Sequence, residues 1–148
     1  MPSLLGAKLL TGEHRCLLDE KGRLNFPAKL RDKMGETFWV TRWMDDCLLA
    51  IPEEKLETVV ETLEAKGMIE SREARLVLFS AAEDVTPDKQ GRILLTMAQR
   101  EHIELKKDAV VIGLGSYAEI WTSEDWQKRK EGFKNKNANT AILKEIGL

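Results

Sequence analysis

The chain has 148 residues, 43% of them hydrophobic and 32% charged, with a formal net charge of −2 and a pI near 5.8. That balance belongs to a folded globular chain rather than a disordered one, and no stretch approaches the roughly 20 apolar residues of a membrane span. A uniformly basic protein that coats nucleic acid through net charge is excluded as well.

Charge is unevenly distributed. Residues 19–33 hold five Lys/Arg (Lys21, Arg23, Lys29, Arg31, Lys33) against three acids, a local +2, whereas residues 53–75 hold seven Glu against four bases, a local −3. The segment from Met1 to Leu10 is mildly apolar but lacks a basic leader region and a small-residue cleavage site, so a cytosolic protein is expected. The two cysteines, Cys16 and Cys47, make no disulfide framework and read as buried strand thiols.

In chain order, Glu13 to Leu18 reads as a strand and Asp19 to Gly22 as a turn, with glycine supplying a positive φ. A second strand runs from Arg23 to Phe26. Pro27 to Met34 is a short helix with proline at its first position and Gly35 beyond its last turn. Thr37–Trp43 and Cys47–Ile51 follow as strands. Pro52 opens a longer helix whose Leu56, Val59, Val60 and Leu63 form one apolar stripe, with Glu53 and Glu54 favoured by the helix dipole. Gly67 ends it, and Ser71 is expected to cap a helix reaching Phe79. A second unit begins near Ala81, turns at Asp88–Arg92, and closes with a helix expected to be capped by Ser123. The stretch from Gly132 to Thr140 is Asn/Lys-rich, as frayed tails are, and Ala141–Leu148 is apolar again.

The two units are copies. Asp19-Glu-Lys-Gly-Arg-Leu24 recurs as Asp88-Lys-Gln-Gly-Arg-Ile93, with Gly22 and Gly91 69 residues apart, and the same offset takes Arg31 to Arg100. Cys47–Leu56 likewise parallels Tyr117–Trp126. A unit of about 50 residues buries little core alone, so the expectation is two units closing a barrel around one joint core.

Enzyme chemistry finds little support. His14 and Cys16 lack two further metal ligands at sensible spacing, and no nucleophile elbow or phosphate-binding loop is present. Gly113-Leu-Gly115-Ser-Tyr-Ala118 imitates a dinucleotide-binding fingerprint. However, Ala118 to Trp121 reads as a strand where that motif needs a helix, so a hairpin turn is expected and no cofactor. Trp39, Trp121 and Trp126 read as core residues. The duplicated turns admit two readings. Lys21 and Arg23, and Lys89 and Arg92, can present cations to a polyanion, since arginine suits phosphate and guanine edges. Equally, Asp19–Arg23 and Asp88–Arg92 can pair across a tight turn.

At these residues the sequence resembles the MraZ family of bacterial transcriptional regulators, whose halves are AbrB-like units. The resemblance spans roughly Thr11 to Lys130. It rests on Asp19-Glu-Lys-Gly-Arg-Leu-Asn-Phe-Pro-Ala-Lys-Leu-Arg31, Cys47-Leu-Leu-Ala-Ile-Pro52, Leu78-Phe-Ser-Ala-Ala82, Asp88-Lys-Gln-Gly-Arg92 and Val111-Ile-Gly-Leu-Gly115. It implies an α+β fold of two tandem swapped-hairpin units in a pseudo-symmetric β-barrel with flanking short helices: 11–80, 81–130, and a flexible tail over 131–148. It also implies a homo-oligomeric ring, nucleoid-associated, that binds repeats of double-stranded DNA in a promoter upstream of cell-division and cell-wall genes, its own gene included, and represses it. No catalytic or metal site is implied. The DNA-contacting loop carries over to Lys21, Gly22 and Arg23, and to Gly91 and Arg92 with neighbouring Lys89; Arg31 and Arg100 are lesser candidates that can instead brace their short helices. Two departures stand out. Thr96-Met97 replaces the usual prolines, which puts the second short helix in question, and Gln90 stands where the first motif has Lys21, which favours the first loop as the stronger reader. The competing expectation is an AbrB-like antitoxin or structural ring whose partner is a protein.

Overall fold

The computed structural model describes residues 8–148. The first unit comprises β1 (Glu13–Leu17), β2 (Arg23–Asn25), α1 (Ala28–Met34), β3 (Phe38–Arg42) and β4 (Leu48–Pro52). α2 (Glu53–Lys66) and α3 (Arg72–Phe79) lead to the second unit. There β5 (Glu83–Val85), β6 (Arg92–Leu94), α4 (Met97–Ile103), β7 (Asp108–Gly113) and β8 (Ala118–Thr122) repeat the pattern before α5 (Ser123–Glu131).

The fold is α+β, and the pairing is exchanged between units. β1 lies antiparallel to β7, with Glu13 opposite Ile112 and Leu17 opposite Asp108, while β5 lies against β3, with Val85 opposite Phe38. With β4 paired to β8, the strands run β1-β7-β8-β4-β3-β5. Replacing each strand by its copy in the other unit reverses this order onto itself. The expected closed barrel is not formed among the described strands: the six-stranded sheet ends at β1 and β5, and β2 and β6 pair with each other as a separate ribbon. The physical reason is packing: β2 and β6 pair with each other so that Leu24 and Ile93 both enter the shared core, and β2 is tied to the segment after β1 by the isolated Leu18–Leu24 bridge.

One cluster of buried residues draws on both units, including Leu24, Phe26, Phe38 and Val40 from the first and Ile93, Leu95, Val111 and Ile120 from the second. β4 is buried at Leu48 through Ile51, the continuous apolar run of a strand covered on both faces. Cys16 and Cys47 are both buried, and desolvation pushes the Cys16 thiol up to about 12. Trp121 is buried edge-on to Trp126, at 5.5 Å between ring centroids. Trp39, expected in the core, is only half-buried and donates its Nε1–H to Glu53 Oε1 at 3.2 Å.

The helix ends follow local chemistry, with three corrections to the sequence reading. α4 forms without the prolines because Thr96 Oγ1 accepts from Gln99 N (3.1 Å) while Gln99 Oε1 accepts from Thr96 N (3.0 Å), a complete capping box. α4 thereby matches α1 at seven residues. Ser71 does not cap α3: its backbone is helical, and its hydroxyl donates to the Gly67 carbonyl and accepts from Arg75 Nε, both at 2.7 Å. The cap of α5 is Thr122, one residue before Ser123, accepting from Asp125 N at 3.1 Å. Beyond α5, the polar tail carries a 3-10 turn (Gly132–Lys134) and α6 (Lys136–Glu145), which the Asn135 side chain caps.

Gly113–Ala118 is a hairpin turn between β7 and β8, closed by Leu114 N to Tyr117 O at 2.8 Å. Its glycines serve the N-terminal segment. Leu10 bridges Gly115 and is fully buried, and a Cβ on Gly113 would sit 2.3 Å from Thr11 N.

Candidate functional site

The two Asp turns are built alike. Asp19 Oδ1 accepts from the N–H groups of Lys21 (2.9 Å) and Arg23 (2.8 Å), and Oδ2 accepts from Arg23 Nε (2.7 Å). Asp88 accepts from Gln90 N (2.9 Å), Arg92 N (2.9 Å) and Arg92 Nε (2.8 Å) in the same way. These donors, the Arg23 and Arg92 backbone N–H groups foremost, hold both carboxyls below the usual carboxylate range. Each turn closes with a backbone bond from glycine to aspartate, at 3.1 Å for Gly22 and 2.9 Å for Gly91, and both glycines have φ +82°.

The cross-turn ion pair anticipated as one reading is therefore present at both turns. It does not exhaust the arginines. Each pair uses only Nε, and among the described residues the terminal Nη groups of Arg23 and Arg92 have no partner. The pairs are partly exposed and screened by solvent, so they fix direction more than they stabilise.

The turns are also locked across the units. Leu95 N, at the end of β6, donates to Gly22 O at 2.9 Å, and Phe26 N, at the end of β2, donates to Gly91 O at 3.0 Å. Arg31 and Arg100 follow this exchange. Arg100 lies against Gly22, where an added Cβ would meet its Cζ at 3.1 Å. Arg31 lies against Gly91, where a Cβ would fall 1.4 Å from its Nη1. Sequence reading allowed these arginines to brace their own helices; instead each crosses to the other unit's turn. Arg100 Nε is buried there without a partner among the described residues. The eight candidate residues thus fall into two sets. The turn of Lys21, Gly22 and Arg23 has Arg100 against its glycine, and the turn of Lys89, Gly91 and Arg92 has Arg31 against its glycine. Lys21 and Lys89 are exposed at the turn tips.

Between the turns lies the β2–β6 ribbon, in which Arg23 is opposite Leu94 and Asn25 opposite Arg92. Leu24 and Ile93 face the core at 0% and 1% exposure, each worth about 2 kcal/mol of burial. The alternation then turns Arg23, Asn25, Arg92 and Leu94 outward together. Asn25 was not singled out from sequence, although the period-2 pattern Arg23-Leu24-Asn25-Phe26 signals that it shares a face with Arg23. An open groove of about 590 Å³ runs beside the ribbon, where Arg23 and Arg92 are joined by Lys106 and Lys107, also unforeseen.

The family model described as "MraZ protein, putative antitoxin-like" matches residues 9–77 and again residues 78–144. Among curated proteins, the "Transcriptional regulator MraZ" of Heliobacterium modesticaldum is 41% identical over 125 residues, covering 83% of this chain and 87% of that protein. That of Lachnoclostridium phytofermentans is 37% identical over 141 residues, covering 95% and 99%. That of Symbiobacterium thermophilum is 40% identical over 122 residues, covering 81% and 88%.

Proposed function

The chain belongs to the MraZ family, and we propose that it is a sequence-specific DNA-binding transcriptional regulator that meets duplex DNA with its β2–β6 ribbon and two Asp turns. The observation that carries this reading is the outward face shared by Arg23, Asn25 and Arg92, flanked by cationic turns. A two-stranded ribbon fits the B-DNA major groove, which is about 12 Å wide. Arginine suits bidentate contact with guanine, asparagine with adenine, and an exposed leucine such as Leu94 can meet a thymine methyl. With Nε committed to aspartate, Arg23 and Arg92 keep their Nη pairs for a base or phosphate. Lys21 and Lys89 are placed for phosphates, which position without reading sequence. Arg31 and Arg100 act as positioning residues that seat Gly91 and Gly22.

The same proposal takes the units 11–80 and 81–130 as paired swapped hairpins, with 131–148 as an appendage, in a cytoplasmic, nucleoid-associated protein. It assembles as a homo-oligomeric ring and represses a cell-division and cell-wall gene cluster, its own gene included, through promoter repeats. Exposed apolar side chains support self-association: Met68 and Ile69 between α2 and α3, and Ile142 and Ile146 near the C-terminus. A ring presenting many weak contacts to repeated sites gains affinity through effective concentration, which allows a chain of net charge −2 to hold DNA.

The test is a gel-shift titration on DNA upstream of the protein's own gene, at two salt concentrations, with wild type and Arg23→Ala. The expected result is salt-sensitive retardation that the variant weakens by about 1–3 kcal/mol, or roughly 5- to 150-fold. A folded, assembled wild type that retards no DNA at low salt overturns the proposal.

A further inference from the structure

Resting on that reading, we propose that the two turns are unequal, and that Lys106 and Lys107 of the second unit supply a phosphate-binding arm to the first turn alone. The ligand class is the sugar-phosphate backbone of duplex DNA flanking the bases that the ribbon reads.

Exchange of strands puts these lysines where sequence order does not. Leu17 pairs with Asp108, and Leu18 N donates to Lys107 O at 2.8 Å, so the segment entering β7 runs alongside the first Asp turn. Lys106 and Lys107 are both exposed, and among the described residues neither has a carboxylate partner. With Arg23 and Arg92 they give the groove four cations against Asp19 and Glu20, and Asp19 is already committed to Arg23. With Arg23 paired to Asp19 and Arg92 to Asp88, a phosphate entering this groove meets the two unpaired lysines against Glu20, a net positive site.

The second turn lacks the arm. Pairing of Val85 with Phe38 makes residues 35–37 the counterpart of 106–108, so Gly35 takes the place of Lys106 and Glu36 that of Lys107. The two arms therefore differ by three charges, two lysines against one glutamate, and the turns offset one of them, since Glu20 and Lys21 stand where the second turn has Lys89 and Gln90. The difference originates at the end of the short helices. Where α1 ends in Gly35 at φ +86°, α4 ends in Glu104 in the left-handed region, followed by buried Leu105, whose N–H bonds Arg100 O at 2.9 Å. That anchored Leu105 holds the lysine pair outside the core, on the same segment as the arginine that seats Gly22.

The experiment measures affinity for the upstream DNA across a salt series for wild type, Lys106→Ala/Lys107→Ala and Glu36→Lys. Each lost phosphate contact lowers the slope of log affinity against log salt by about 0.9. The double variant is expected to lose about 1.8 of slope while keeping the wild-type preference for that DNA over a scrambled duplex. Glu36→Lys, which gives the second turn the counterpart of Lys107, is expected to raise affinity and steepen the slope. A wild type that binds DNA with a slope the double variant leaves unchanged refutes the arm and spares the DNA reading. A wild type that binds no DNA refutes the DNA reading itself.

Discussion

Gly91→Ala perturbs the lock between units at its tightest point. The native φ of +82° costs an L-residue about 1–2 kcal/mol, and the new Cβ would lie 1.4 Å from Arg31 Nη1 and 2.3 Å from Cζ. Such overlap forces the guanidinium out of its seat, although a flexible side chain limits the stability cost of moving it. At Gly22 the same φ applies, but the nearest guanidinium atom stands 3.1 Å from the added Cβ and can give by a few tenths of an ångström. Gly22→Ala should therefore lose about 1–2 kcal/mol, and Gly91→Ala more, by the displacement of Arg31. In an Arg31→Ala background the excess should vanish, leaving only the φ penalty, with a coupling of at least about 0.5 kcal/mol. Urea unfolding at one fixed protein concentration measures all four combinations without confounding by assembly. A Gly91→Ala variant as stable as wild type, or an excess loss that persists without Arg31, refutes the crossing of Arg31 onto the second turn.

Gln99 joins three segments, with Nε2 donating to Val40 O (3.0 Å) and Ala81 O (2.9 Å) while its Oε1 caps α4, so Gln99→Leu should cost about 2–5 kcal/mol in urea titrations by leaving two carbonyls unpaired. A loss below about 1 kcal/mol would show that water replaces those bonds. Asp19 and Asp88 have depressed carboxyls, so their contribution is complete above the ordinary carboxylate range and is lost as pH falls through their folded values. The urea midpoint should drop between pH 5 and pH 2, less in Asp19→Asn/Asp88→Asn than in wild type; equal drops would contradict the role of the turns.

What was legible in the sequence was local. Asp19, Gly22 and Arg23 are within hydrogen-bond reach of one another in any tight turn, so their geometry follows from spacing, and the copy at Asp88 doubles the signal. The exchange was legible only through the family resemblance, which implies swapped hairpins, and not from the residues themselves. Glu13 meets Ile112, and no pattern along the chain distinguishes that pairing from pairing within each unit. The destinations of Arg31 and Arg100 depend on it, as does the proximity of Lys106 and Lys107 to the first turn. The open sheet was missed for a related reason: closure depends on whether β2 and β6 prefer each other to the sheet edges, a choice three-residue strands decide by packing Leu24 and Ile93 rather than by propensity. Ser71 and Ser123 look like caps because serine usually is one; Arg75 and Thr122, nearby, change the outcome.

The central claim is that DNA covers the ribbon face and its turns. Lysine acetylation read by mass spectrometry, with and without saturating upstream DNA, tests it directly. Lys21, Lys89, Lys106 and Lys107 are exposed beside the ribbon, while Lys55 and Lys66 are exposed on α2. Protection confined to the first four, strongest at Lys21, Lys106 and Lys107, is the predicted result. Protection of Lys55 and Lys66 with the turn lysines still reactive would place the DNA on another face and contradict the account.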